Sequence, residues 1–138
     1  MLTLTPSPSP LRLLLVETDA AVSSALQRRL RRAGWEVLPA ENAAMALQLK
    51  PRFAPHAVLL SLDLPDMDGN ALASRLAMQG DCAIVAMSGR GEAARQETLA
   101  GGAHDYLPKP MGMQDILARL QGAVGRLAAE VAPVGCIA

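Results

Sequence analysis

The residues able to do chemistry fall in four short clusters: Glu17-Thr18-Asp19, Ser61 to Gly69, Ser88-Gly89 and Lys109-Pro110. Carboxylates such as Glu17, Asp19 and Asp63 can hold magnesium, which binds through one or two of them plus waters and phosphate oxygens. A lysine and a hydroxyl, as at Lys109 and Ser88, can stabilise negative charge that develops during group transfer. Each cluster lies just after a short apolar run, so the elements built on those runs decide whether the clusters meet.

Two textures alternate along the chain. Continuous apolar runs at Leu13–Val16, Ala57–Leu60 and Ala83–Met87, with weaker ones at Glu36–Leu38 and Asp105–Leu107, suit strands covered on both faces. Longer segments carry helical spacing. Ala21–Ala33 places Val22, Ala25, Leu26 and Leu30 on one face and Gln27, Arg28, Arg31 and Arg32 on the other, with Gly34 at the expected stop. Asn42–Lys50 is expected as a helix capped by Asn42 and ended by Pro51. Asn70–Gln79, Glu92–Ala100 and Met113–Leu127 complete the set. Five strands alternating with five helices predict a single doubly wound α/β domain with right-handed crossovers. Such sheets gather functional groups at the carboxyl ends of their strands. Residues 1–10, rich in Ser, Thr and Pro, read as a flexible leader, and 128–138 as a tail or the start of a linker.

Composition removes several classes of function. The chain of 138 residues is long enough for one core, 51% of it is apolar, and its formal net charge is zero. That balance argues against disorder and against direct nucleic-acid binding by this domain. Trp35, Phe53 and Tyr106 are the only aromatics, too few for a base-stacking platform. Cys82 and Cys136 show no metal spacing, and Cys82 is expected as a small buried hydrophobe. No signal peptide and no bilayer-length apolar run is evident, so a cytoplasmic location without membrane attachment is expected. His56 and His104 share no ligand spacing and are expected at the surface. Asp66 and Asp68 are expected to form the turn before Gly69. The arginines at 28, 29, 31 and 32 are expected as a solvated helix face, with a partner-binding patch as the alternative. Gly89-Arg90-Gly91 lacks the length and lysine of a phosphate loop.

From Leu11 to Val124 the chain resembles the receiver domains of bacterial two-component response regulators (CheY-like). The resemblance is carried by Gly102-Ala103-His104-Asp105-Tyr106-Leu107-Pro108-Lys109-Pro110 and by Pro65-Asp66-Met67-Asp68-Gly69. It implies a flavodoxin-like three-layer (βα)5 sandwich around a five-stranded parallel sheet, spanning residues 11–127. It also implies phosphoryl transfer from a partner's phosphohistidine to a carboxylate, assisted by Mg²⁺, lysine and a hydroxyl. Ser88 and Tyr106 match the family's switch positions, and Lys109 with Pro110 matches its lysine and cis-proline.

The chain departs from that pattern at the acceptor. In the family the phosphorylated aspartate lies four residues before the proline and eight before the glycine of the loop seen here as Pro65 and Gly69. Both counts reach Ser61, and the run from Pro55 through Leu60 agrees. A serine cannot form an acyl phosphate. Glu17 matches the first acidic position, but Thr18 falls on the second. Asp19 stands one place late, where it is expected to cap a helix. Mg²⁺ binding is therefore expected to be weak or absent, with Glu17, Asp19 and Asp63 as weak candidates. Lys109, deprived of its aspartate, is expected to pair with Glu17 or Asp63.

These features imply a non-enzymatic signalling module, bypassing phosphorylation and acting through protein partners: a histidine kinase, an output domain or another signalling protein. A homodimer through helix four, strand five and helix five is one form this could take. Two alternatives remain open: Asp63 as a working phosphoacceptor with Mg²⁺, and an engineered Ser61 in a conventional receiver.

Overall fold

A computed structural model describes residues 9–131. The elements run β1 (Arg12–Val16), α1 (Ala20–Arg32), β2 (Glu36–Ala40), α2 (Ala43–Phe53), β3 (Ala57–Ser61), α3 (Gly69–Gln79), β4 (Ala83–Ser88), α4 (Glu92–Ala100), β5 (Asp105–Pro108) and α5 (Met113–Val131). All strand pairs are parallel, in the order β2-β1-β3-β4-β5. The expected doubly wound α/β sandwich is the fold. Of the expected leader, residues 1–8 lie outside the described residues, as do 132–138 of the expected tail. Helix α5 continues to Val131, past the expected Leu127.

The apolar runs have a direct physical reading. Alternate side chains of each strand enter opposite layers of core, so both parities must be apolar. Leu14, Val16, Val58, Leu60, Ile84 and Ala86 pack toward α2 and α3, against Ala43, Ala46, Leu72 and Leu76. Leu13, Leu15, Leu59, Val85, Met87 and Leu107 pack toward α1 and α5, against Leu26, Leu30, Ile116 and Leu120. The central strands β3 and β4 are buried at every residue. Strand β2 forms one edge of the sheet, which explains how it extends through Pro39 to Ala40 without losing a ladder bond it needs.

Local signals set most helix ends. Asn42 caps α2 by accepting from the Met45 amide, and Gly34 follows α1 with a positive φ of 102°. The expectation that Pro51 ends α2 is wrong. The helix carries it and runs on to Phe53, and Ala54 then turns left-handed and donates to the Lys50 carbonyl. A proline so near the end disturbs only the last turn, so its cost is small enough for the surrounding packing to override.

Candidate functional site

The strand ends meet at one edge of the sheet, as parallel topology requires. Ser61 is the last residue of β3, is 1% exposed, and lies opposite Met87. Its Oγ accepts a 3.3 Å bond from the Asp63 amide. The next residue, Leu62, turns back into the core and donates its amide to the Met87 carbonyl. Asp63 then points outward into solvent. The loop to α3 closes tightly: Gly69 donates to the Leu62 carbonyl, and a Cβ on Gly69 would lie 2.3 Å from the Leu62 Cα. Only glycine fits there.

Around Ser61 every candidate carboxylate has a partner. Glu17, 5% exposed at the end of β1, places Oε1 3.5 Å from the Lys109 Nζ and accepts from the Asp19 amide through Oε2. Asp19 caps α1, its Oδ1 accepting from the amides of Ala21 and Val22. Thr18 donates its hydroxyl to the Glu41 carbonyl at 2.9 Å, tying the β1–α1 loop to the β2–α2 loop. Among the described residues, no group of three or more His, Cys, Asp or Glu is arranged to hold a metal ion.

Beyond β4 the geometry is polar and closed. Ser88 is fully buried, and its Oγ accepts from the Arg90 amide at 3.1 Å. Its carbonyl accepts both the Tyr106 hydroxyl, at 3.2 Å, and the Lys109 amide, at 2.9 Å. Tyr106 is buried at 2% exposure, with its ring in the core layer that contains Leu60 and Ala86. The Lys109-Pro110 peptide is cis.

Arg90 is the residue that sequence reasoning passed over. Its Nη2 and Nε reach the same Asp63 oxygen at 2.8 and 3.1 Å, and Nη2 also donates to the Leu62 carbonyl. Asp68 lies 3.9 Å from Nη1. A guanidinium therefore spans the β3–α3 and β4–α4 loops beside Ser61. The signal was present as a lone cation in one loop facing acids in the neighbouring loop, but their separation in sequence hid it.

Three expectations are corrected here. Asp66 does not simply shape its own turn: its two oxygens accept the Ala43 and Ala44 amides, each at 2.9 Å, so it caps α2 from across the site. Those two bonds, Ala44 first, hold its carboxyl below the usual range. His56 and His104 are partly buried rather than surface residues. Each accepts a strand amide through Nδ1 at 2.9 Å, from Arg12 and Ile84 respectively. Both sit at the strand starts, where a ring nitrogen completes a ladder that has run out of backbone carbonyls.

Residues 13–121 match the family model of the response regulator receiver domain. The chain belongs to the response regulator receiver domain family. This receiver domain is 34% identical over 126 residues to the response regulator MprA of Mycobacterium sp. (strain KMS), covering 90% of this chain and 55% of that protein. It is 34% identical over 117 residues to the transcriptional regulatory protein PrrA of Mycobacterium tuberculosis, covering 83% and 50%. The receiver thus spans about half the length of these relatives. Among solved structures, a putative response regulator from Chloroflexus aurantiacus matches with a TM-score of 0.79 and 31% identity, over 85% of this chain and 99% of that one. The BeF3-activated N-terminal receiver domain of RstA from Klebsiella pneumoniae matches with a TM-score of 0.78 and 27% identity, over 82% and 97%. The receiver has a place in two-component signalling, and no helix among the described residues is long and apolar enough to cross a membrane.

Proposed function

We propose that this receiver signals by binding proteins, without passing through an aspartyl phosphate. The observation that carries this is the buried hydroxyl of Ser61 at the carboxyl end of the central strand, where the register leaves no carboxylate. An alcohol has no standing negative charge to attract a divalent ion, and attack on a phosphoryl group would require a base to remove its proton. Glu17 faces Lys109, Asp19 faces two helix amides and Asp63 faces Arg90. Magnesium, which demands near-octahedral oxygen donors, would have to displace these partners one by one. The residues therefore do not fit a resident Mg²⁺ ion.

The polar groups that remain hold a shape. Lys109, Ser88, Tyr106 and Glu17 link the ends of β1, β4 and β5 through bonds that need no phosphate. Such a module presents one surface continuously, or changes it when a partner prefers another conformation. Partners of the relevant class are a histidine kinase, an attached output domain or a second copy meeting through α4, β5 and α5.

The test is incubation with a small acyl-phosphate donor and Mg²⁺, followed by intact mass measurement. No phosphate-sized increment is expected. An increment that disappears in Asp63→Asn would instead establish Asp63 as an acceptor and overturn the proposal.

A further inference from the structure

Helix α1 carries Arg28, Arg29, Arg31 and Arg32 and no acidic residue. The chain as a whole is neutral, so the remaining nine basic residues face thirteen acidic ones, and positive charge is concentrated on this single helix. Arg31 is engaged, donating to the Val37 carbonyl at 3.0 Å. Arg28, Arg29 and Arg32 are exposed and make no ion pair among the described residues. Together with Ala25 these three line a recess of about 300 Å³. The short alanine side chain leaves the concavity and the guanidinium groups surround it.

Like charges three and four positions apart on a helix repel, and only part of this is offset by the negative end of the helix dipole. Guanidinium groups accept carboxylates through paired N–H donors, so several convergent arginines suit a run of Glu or Asp. The patch lies near the strand starts, because α1 runs back along β1 from the Ser61 edge. Binding here leaves the Ser61 edge free. We propose that the Arg28, Arg29 and Arg32 recess docks an acidic segment of a protein partner. A neutral chain with one recess on a single helix lacks the extended positive field that holds a nucleic acid.

This surface rests on reading the receiver as a protein-binding module, but its test is separate. Phosphate uptake by the unmodified chain would overturn the reading of the Ser61 site and leave the docking surface standing. The probe is a glutamate-rich peptide of about ten residues, titrated at low salt and followed by amide shifts and Trp35 fluorescence. Trp35 follows α1 and is buried, with its amide bonded to the Leu30 carbonyl. The triple variant Arg28→Gln, Arg29→Gln, Arg32→Gln is expected to weaken binding about tenfold or more, as loss of about 1.4 kcal/mol would. A control triple, Arg52→Gln, Arg75→Gln, Arg95→Gln, removes the same charge elsewhere and is expected to change it less than about twofold. Thermal melts of both triples keep loss of folding distinct from loss of binding. Equal weakening by the two triples would overturn the proposal, since bulk charge would then explain the binding. Amide shifts mapping away from α1 would overturn it as well. Tighter binding of a short DNA duplex through the same arginines would replace the proposed partner class.

Discussion

Lys50 offers the sharpest energetic test of how this fold handles charge. It is 4% exposed at the end of α2, and its ammonium lies 2.7 Å from the Asp81 Oδ1 and 2.5 Å from the Gln79 Oε1. Removing one partner of a buried pair costs about 3–5 kcal/mol, because the other charge is left without compensation. Here the Asp81 side chain is 63% exposed, so water can replace part of what is lost. Asp81→Asn is therefore expected to cost about 1–3 kcal/mol, or about 3–9 °C in Tm for a domain of this size. Lys50→Met keeps the length, removes the buried charge and leaves two exposed partners free to hydrate. It is expected to change stability by less than about 1 kcal/mol, and to abolish the effect of Asp81→Asn in the double variant. Urea midpoints at constant slope give all three values. The Lys50 hydrogen bond, first among several causes, holds the Asp81 carboxyl below its ordinary 3.8. The pair's contribution is thus full above that value and fades as pH falls through the lowered one. Equal losses for Lys50→Met and Asp81→Asn would refute this reasoning.

Other expectations follow from single contacts. Gly69→Ala forces a Cβ against the Leu62 backbone and should cost about 3 kcal/mol or more, measured by chemical denaturation. Tyr106→Phe removes the bond to the Ser88 carbonyl and should cost about 1 kcal/mol by the same measurement. Burial, chiefly, pushes the Cys82 thiol up to about 12, so in a Cys136→Ser background it should resist alkylation until the chain unfolds. Burial and then the Arg12 charge lower the pKa of His56 below 6.5. The unfolded chain consequently binds the proton more readily. Stability from this residue should be full above about 6.5 and decline as pH falls toward the lowered value. A His56→Gln variant should lose that part of the pH dependence in melting experiments.

Much of the fold was legible because its signals are local. Five apolar runs without polar alternation define buried parallel strands, and Asn42 and Gly34 mark helix ends through their own backbone chemistry. That Ser61 closes β3 was legible because the apolar run Ala57–Leu60 stops just before it. The structure adds Leu62, whose burial and bond to Met87 fix the strand's end. What stayed hidden depends on contacts between distant segments. Asp66 caps a helix that begins 23 residues earlier, and Arg90 reaches an aspartate 27 residues away. Lys50 closes its expected helix with nothing nearby in sequence to mark it as buried, yet it meets Gln79 and Asp81, about thirty residues on. The histidines resembled surface residues because nothing adjacent in sequence announces an amide waiting at a strand start.

If Ser61 stands where an acceptor carboxylate would, supplying that carboxylate should bring phosphate uptake with it. The unmodified chain and a Ser61→Asp, Thr18→Asp variant would be incubated side by side with an acyl-phosphate donor and Mg²⁺, then weighed intact. Mass gain is expected in the double variant alone. Phosphate appearing on the unmodified chain, at any residue of this pocket, would contradict the account.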